Sequence, residues 1–438
     1  MGSIFRIGLL SLLCVALLSG QNLEQLLGEG KALLEQGQLE LAEQRLMAAI
    51  EADPTVAESY YILGQVYLKQ YDLDKTRENF RIAIDLDQRN QEYRDEFERV
   101  NTIASLMADA KRILNDGNSY AAIAKYENVM NEFPEFSAMT LYHMGVASLR
   151  EDDISEAARY FREATDEDSS YEKPSKALKG IADKIYNEAN QSIRRGDYEG
   201  AIENYEKVLE LDPDYFRAYF QMGFISTKLG EYDKAIGYYE KTVMVDPSFS
   251  KGWFALALAH QRNGDYEKAL ESLDRATSAD PTYVKAYAQK GIIYLKQADY
   301  PSAEAAYNKA IQADPTYSKP YEDLGKIFVA RQDYNEAVNV LTTATTLNAK
   351  SSTAWYMLAQ CYTALGQCKS GKEAALSALD VKPNFPPALY ELGLAEVCLG
   401  NKTAALNAFE KARKDRTWRK AAEYEIDKIQ HPERYQNR

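Results

Sequence analysis

Apolar residues recur along this chain with helical spacing, in pairs of short segments separated by turn residues. The stretch GWFALALAHQRNGDYEKALESLDRATSADP (252–281) shows the pattern clearly. Four residues of its first half follow the i, i+3, i+4, i+7 spacing of one helix face: Trp253, Leu256, Ala257 and His260. Asn263-Gly264-Asp265 interrupts the pattern, and a second helical pattern begins at Tyr266. The stretch therefore predicts two helices joined by a tight turn.

The same unit returns every 34 residues, as when ADPTYVKAY at 279–287 is repeated as ADPTYSKPY at 313–321. One proline marks the register of most units: Pro213, Pro247, Pro281, Pro315 and, after a unit with Ala349, Pro383. A small residue stands ten positions after each mark: Gly223, Ala257, Gly291, Gly325, Ala359 and Gly393. Two helices cannot bury their own apolar faces, so the units are expected to stack into a solenoid held together by contacts between neighbours.

This unit closely resembles the tetratricopeptide repeat, whose order of large residue, small residue, Gly-Asp-Tyr, alanine and proline is nearly complete in 252–281. The resemblance extends over nearly all of the chain after residue 20. It implies an all-α fold, a right-handed superhelical solenoid of helix-turn-helix repeats. Eleven units are expected, beginning near Leu23, Ala57, Ile103, Ala138, Ala182, Phe216, Ser250, Val284, Ser318, Ser352 and Pro386.

Two intervals exceed the period, since Gln88 to Pro134 spans 46 residues and Ser169 to Pro213 spans 44. Apolar residues keep helical spacing through both intervals, which predicts lengthened first helices rather than linkers. They divide the array into three blocks and a cap: 21–90 with two repeats, 91–171 with two, 172–419 with seven, and a capping helix and tail at 420–438.

The first twenty residues, MGSIFRIGLLSLLCVALLSG, follow a different pattern. Arg6 precedes an apolar run at 7–18, and Ser19 and Gly20 follow it. This is the form of a secretory signal peptide, with a run too short to span a bilayer. We expect an exported protein, periplasmic or secreted. The alternative is a membrane anchor formed by an uncleaved N-terminal segment.

Composition narrows the class of protein further. The net charge of -14 argues against a nucleic-acid binder, because phosphate neutralisation needs a basic surface. Three cysteines follow the signal segment: Cys361, Cys368 and Cys398. They allow at most one disulfide, and small buried apolar residues are the expected role.

Catalytic and metal-binding patterns are not found in the sequence. The three histidines are scattered, and His260 stands where other units carry tyrosine. No zinc-ligand cluster, phosphate-binding glycine loop or nucleophile elbow appears. We therefore expect no enzyme activity, no metal and no cofactor.

In tetratricopeptide solenoids the first helix of each unit lines a concave groove, which is the usual partner site, and the resemblance implies the same here. Four cations stand four residues after successive register marks: Arg217, Lys251, Lys285 and Lys319. Three more stand fifteen residues after the register marks: Lys228, Arg262 and Lys296. The two sets are eleven residues apart, about three helical turns, and so share a face. Apolar residues lie between them: Phe220, Phe224, Phe254 and Leu258.

A cation at a helix N-terminus opposes the helix dipole, so the first set favours an anionic partner, whereas the dipole alone can explain the second set. We expect a non-catalytic scaffold that binds a protein or peptide segment with acidic and apolar residues in the groove. The alternative is a structural assembly factor for envelope or polysaccharide-export machinery that acts through its outer surface or termini.

A basic cluster closes the last unit: Lys411, Arg413, Lys414, Arg416, Arg419 and Lys420. We expect it to cap helix ends while Trp418 seats the final helix. Peripheral contact with anionic lipid or polysaccharide of a membrane or envelope is the alternative.

Overall fold

The computed structural model describes residues 23–435, so the predicted signal segment 1–20 and the last three residues lie outside the described part. Within it, all regular elements are helices packed in consecutive pairs, which confirms the expected all-α fold of helix-turn-helix repeats. The chain divides into two compact units between Pro213 and Asp214.

The described part of the first unit contains ten α-helices and a 3-10 turn at Pro134–Phe136. The helices are α1 (described from 23 to 35), α2 (Leu39–Ala52), α3 (Ala57–Lys69), α4 (Leu73–Leu86), α5 (Gln91–Asn115), α6 (Ser119–Glu132), α7 (Ser137–Arg150), α8 (Ile154–Glu167), α9 (Glu172–Arg195) and α10 (Tyr198–Leu211). The 25-residue α5 and the 24-residue α9 occupy the two intervals where the period is interrupted.

The second unit continues the same pairing as far as a final single helix, followed in its described part by a 3-10 turn at Pro432–Tyr435. Its helices are α11 (Phe216–Leu229), α12 (Tyr232–Val245), α13 (Ser250–Arg262), α14 (Tyr266–Ala279), α15 (Val284–Lys296), α16 (Tyr300–Ala313), α17 (Ser318–Arg331), α18 (Tyr334–Leu347), α19 (Ser352–Ala364), α20 (Cys368–Val381), α21 (Pro386–Cys398), α22 (Lys402–Ala412) and α23 (Arg419–Gln430).

The turn between α13 and α14 shows how the sequence makes each hairpin. Gly264 takes a left-handed φ of 88°, which ends α13 at little steric cost. The Asp265 carboxylate then accepts the backbone N–H of Lys268 at 3.1 Å and caps α14. The Asn-Gly-Asp signal thus stops one helix and starts the next.

The residues that mark the period have definite packing roles. A Cβ added to Gly291 would lie 2.5 Å from Cε1 of Tyr307, so only a residue without a side chain lets α15 and α16 approach this closely. The indole Nε1 of Trp253 donates to the Pro247 carbonyl at 2.9 Å, and Trp355 makes the same bond to Ala349. In these two repeats the indole six residues after the mark therefore fastens the start of the first helix.

Contacts in the first unit extend beyond neighbouring repeats. Tyr71, in the turn between α3 and α4, packs its ring 4.6 Å from the ring of Tyr171 and 6.4 Å from that of Phe136. Its hydroxyl donates to Asp168, which follows α8, at 2.9 Å. The expectation that only neighbouring repeats hold the solenoid together is therefore wrong for this unit.

The cysteines differ from the expectation as well. Cys368, the first residue of α20, forms a disulfide with Cys398, the last residue of α21, with a Cα–Cα distance of 5.8 Å. Cys361 is a buried free thiol. The prediction of small buried apolar residues holds for Cys361 and is wrong for the other two, because a stacked pair of repeats brings those two helix ends together.

Helix α23 covers the open face of the last helix pair. Its Ala422 and Ile426 pack in one core with Phe409, and the ring of Trp418 lies 5.1 Å from that of Tyr390. Among residues 23–435, no helix is both long and apolar enough to cross a membrane.

Candidate functional site

Four first helices of the second unit carry a cation at the same position. Arg217, Lys251, Lys285 and Lys319 are each the second residue of their helix, in α11, α13, α15 and α17. We call this set the cationic row. Its first three members are exposed, and within residues 23–435 none of the three forms an ion pair with a carboxylate. They leave three positive charges free at helix N-termini.

Lys319 is different, because its own helix neutralises it. Its ammonium lies 2.8 Å from Glu322 and 3.4 Å from Asp323, and Lys326 approaches the same two carboxylates at 3.4 and 2.7 Å. Ser351 also donates to Glu322 at 2.7 Å. Lys319 is therefore a member of a local ion network rather than a free cation.

The pKa shifts of Lys319 and Glu322 agree with this geometry. Partial burial disfavours the charge on Lys319, but the hydrogen bond and negative charge of Glu322, together with the charge of Asp323, outweigh that effect and raise the pKa of Lys319 above its usual value. Burial acts on Glu322 in the opposite sense, yet its bonds with Lys319 and Ser351 hold the pKa of Glu322 below its usual value.

The second cationic set lies in the last turn of three first helices. Lys228, Arg262 and Lys296 lie in the last turns of α11, α13 and α15 and are exposed. The Lys228 ammonium sits 5.5 Å from the ring centre of Phe224, within cation–π range. Each of these helices thus carries a cation at both ends of one face.

The apolar residues between the cations have mixed roles. Phe220 packs edge-on against Phe249 of the next repeat at 5.2 Å, and Phe254 packs in the same way against Tyr283 at 5.3 Å. These two rings mainly seal neighbouring first helices. Leu258 is half-buried, and Phe224 is 36% exposed. Phe224 is the most accessible of the four predicted apolar residues.

Sequence reasoning overlooked two acidic residues on these helices. Asp323 is 3% exposed and Glu391 is 4% exposed, and each is the sixth residue of its first helix, in α17 and α21. A signal for the first was available, since Glu322 and Asp323 follow Lys319 at i+3 and i+4, the spacing of helical ion pairs. Burial raises the pKa of Glu391 to about 8.

The histidines and acids do not assemble into a metal site within the described ranges, where no group of three or more potential ligands converges. His260 is 5% exposed in the core, and burial lowers its pKa. The first helices of the second unit therefore present a surface of exposed charge and partly exposed apolar residues.

Comparisons with known families identify the repeat. Residues 181–385 match the model of the C-terminal domain of cilia and flagella-associated protein 70. Residues 30–70 match a TPR repeat model, and residues 57–90 match a tetratricopeptide repeat model. No curated protein matches the chain.

Several solved structures are similar in architecture. The chain is 26% identical to MamA over 36% of its own length and 93% of that protein, with a TM-score of 0.34. It is 20% identical to YrrB, described as a TPR protein with an unusual peptide-binding site, over 42% of this chain and 96% of that one, with a TM-score of 0.39. Yeast Tom70 is 16% identical over 95% of this chain and 97% of its own, with a TM-score of 0.36.

Proposed function

Because the chain belongs to the tetratricopeptide repeat family and is a protein-interaction scaffold, we propose that its second unit binds a peptide segment of acidic and apolar residues. The segment lies along the first helices α11, α13 and α15. The observation that carries the proposal is the row of three exposed cations without ion-pair partners in the described part: Arg217, Lys251 and Lys285.

The energetics require both kinds of contact. Exposed ion pairs contribute about 0.2–1 kcal/mol each, so three give at most about 3 kcal/mol. Burial of Phe224 and the accessible part of Leu258 against the peptide has to add affinity. The cations then set specificity and the rate of association, and binding weakens as salt concentration rises.

Charge reversal tests the proposal. The variant Arg217→Glu/Lys251→Glu/Lys285→Glu is compared with Lys234→Glu/Lys268→Glu/Lys309→Glu, which makes the same change of charge on the exposed second helices α12, α14 and α16. Both are used to capture partners from a native extract, and both are titrated with labelled peptides of mixed glutamate, leucine and phenylalanine. We expect the first variant to lose binding at least tenfold while the control binds normally. Equal binding by the two variants would show that the cationic row is not the site.

The outer surface is the second candidate, because two large apolar residues are strongly exposed on second helices. Tyr120 on α6 is 76% exposed, and Met244 on α12 is 74% exposed. A structural assembly factor would use such residues to contact its machinery. Loss of partner capture in Tyr120→Asp or Met244→Asp, with capture unchanged in the cationic-row variant, would favour this function.

We further propose that the chain is exported and that its signal segment is removed, with an uncleaved membrane anchor as the alternative. The apolar run at 7–18 supports export, and so does the Cys368–Cys398 disulfide, because such bonds persist in oxidising compartments. Cell fractionation combined with mass spectrometry of the N-terminus and of alkylated cysteines tests both points. A membrane-bound chain with an intact N-terminus would favour the anchor, and a cytosolic chain with reduced cysteines would contradict export.

A further inference from the structure

The first unit holds a cavity of about 570 Å³ that the sequence did not reveal. The α3–α4 turn and helices α4, α5, α6, α7 and α9 form its walls, and both apolar and polar side chains line it: Tyr71, Met107, Tyr126, Met139 and His143. The volume lies within the usual range of small-molecule sites. It is separate from the cationic row, which belongs to the second unit.

A continuous series of ring contacts passes beside the cavity. Tyr71 packs on Tyr171 at 4.6 Å, Tyr171 on Tyr142 at 5.7 Å, Tyr142 on His143 at 5.3 Å, and His143 on Tyr126 at 5.5 Å. The long-range bond from Tyr71 to Asp168 fixes the first ring of the series. The wall is therefore assembled from several repeats.

His143 presents unused polar atoms to this cavity. Its imidazole makes no hydrogen bond to any residue of the described part, although it is largely buried. Burial first, and then the charges of Lys173 and Lys111, lower the pKa of His143 to about 4. The ring is thus neutral near pH 7, with one N–H donor and one acceptor nitrogen.

The two lysines that act on His143 are themselves uncompensated. Lys111 and Lys173 line the cavity, are exposed, and form no ion pair within residues 23–435. The Nε atom of Arg77, in the same wall, is buried without a hydrogen-bond partner. Within residues 23–435 the two lysines therefore lack an ion pair, and the Arg77 guanidinium, which is paired with Asp74 at 3.9 Å, lacks a hydrogen bond at Nε.

The acids of the cavity do not cancel this charge. Asp72 accepts the backbone N–H of Lys75 as the cap of α4 at 3.1 Å and lies 3.6 Å from the ammonium of the same lysine. Asp74 lies 3.9 Å from the guanidinium of Arg77, and its side chain is 97% exposed. The positive charges of Lys111 and Lys173 beside His143 are therefore available to bind an anionic ligand.

We propose that this cavity binds a ligand that joins an oxyanion to an apolar ring or chain. The oxyanion meets Lys111, Lys173 and the N–H of His143, and the apolar part lies against Met107 and Met139. Carboxylates and phosphate esters share this chemistry. Exposed ion pairs are weak, so charge alone would not give the ligand sufficient affinity. Apolar contact alone would leave the imidazole N–H of His143 without a hydrogen-bonding partner.

Histidine NMR on the full chain tests the proposal, since the sequence has three histidines: His143, His260 and His431. The protein with isotope-labelled histidine is titrated with phenyl phosphate, phenylacetate, inorganic phosphate and benzyl alcohol. We expect a saturable shift of the His143 resonance with at least one ring-bearing anion, tighter than any shift with inorganic phosphate. The preferred ring-bearing anion distinguishes a phosphate ester from a carboxylate. A His143 signal that ignores all four probes, or that responds equally to benzyl alcohol, overturns the proposal.

Charge variants give the second arm. Lys111→Gln/Lys173→Gln is compared with Lys125→Gln/Lys184→Gln, exposed lysines of α6 and α9 outside the cavity lining. We expect the first variant to bind the ring-bearing anion at least tenfold more weakly and the second to bind it like the unmodified chain. Circular dichroism confirms that both are folded. Unchanged affinity in the first variant would also overturn the proposal.

Discussion

The hydroxyl of Tyr71 donates a 2.9 Å hydrogen bond to the carboxylate of Asp168, 97 positions later in the chain. Tyr71 reaches this partner from a turn in which its φ is 57°, a left-handed conformation that is uncommon for residues other than glycine. A strained turn residue is maintained where surrounding contacts stabilise it. Here those contacts connect the turn of the second repeat to the end of the fourth, two repeats further along the first unit.

Removal of that hydroxyl is expected to loosen the first unit. Tyr71→Phe keeps the ring contacts but deprives a carboxylate of its donor, so the free energy of unfolding should fall by about 1–2 kcal/mol. Urea denaturation measures the change, and hydrogen exchange of α3 and α8 locates it. Tyr120→Phe, at a position 76% exposed, is the matched control and should have no effect. Equal stability of the two variants would show that the contact contributes little.

The helical hairpins were predictable because each depends on residues close in sequence. The Asn-Gly-Asp turn, the glycine under a ring and the indole that bonds to the register carbonyl all act within one 34-residue unit or its immediate neighbour. The meeting of Tyr71 and Asp168 was not predictable. It depends on how several successive repeats curve, to which each packing angle contributes.

Two equivalent tyrosines three repeats apart should respond differently to loss of the hydroxyl. Tyr205 and Tyr307 are both fully buried. The hydroxyl of Tyr205 donates to Asn190 at 2.8 Å, whereas that of Tyr307 has no hydrogen-bond partner within residues 23–435. Tyr205→Phe should lower the free energy of unfolding by about 1 kcal/mol, while Tyr307→Phe should leave it unchanged or raise it, because it removes an unsatisfied buried polar group. Chemical denaturation of the two variants checks the order, and a greater loss in Tyr307→Phe would contradict it.

The position of the cationic row could be predicted from the sequence offsets alone. Whether each cation is exposed or paired with a carboxylate could not. Arg217, Lys251 and Lys285 have the exposure that a partner site needs, whereas Lys319 is engaged by Glu322 and Asp323. The i+3 and i+4 spacing suggests that Lys319 can pair with Glu322 and Asp323 on one helix. Burial of the two carboxylates is what makes these ion pairs strong enough to neutralise the lysine. That burial comes from the packing of α17 against its neighbouring helices, α16, α18 and α19, which no local pattern specifies.

Truncation separates a structural lysine from a free one. Lys319→Ala removes one of two cations from largely buried carboxylates and should lower the free energy of unfolding by about 1 kcal/mol. Lys285→Ala, the corresponding residue one repeat earlier, removes an unpaired exposed cation and should leave stability unchanged. Thermal denaturation of both proteins under one set of conditions tests this contrast. A stable Lys319→Ala protein would mean that Lys326 neutralises the pair alone.

Glu391 should make the stability of the second unit depend on pH. The side chain is 4% exposed in α21 and has no hydrogen bond or ion pair within the described part of the chain, and burial raises its pKa from 4.5 to about 8. Between those values the unfolded chain releases a proton that the folded chain keeps. The contribution of the protonated Glu391 carboxyl to the free energy of unfolding is therefore complete below pH 4.5. It is lost as pH rises toward 8, by about 1.4 kcal/mol per pH unit.

Glu391→Gln isolates this effect, because glutamine has nearly the same shape and does not titrate. Denaturation midpoints measured across the same pH window should decline less steeply in Glu391→Gln than in the unmodified chain, and the variant should be the more stable protein near pH 8. Glu423→Gln, an exposed change in α23, controls for the loss of one carboxylate and should keep the original slope. If Glu391→Gln also keeps that slope, the carboxyl of Glu391 is ionised with a partner in the folded chain, and burial does not govern its titration.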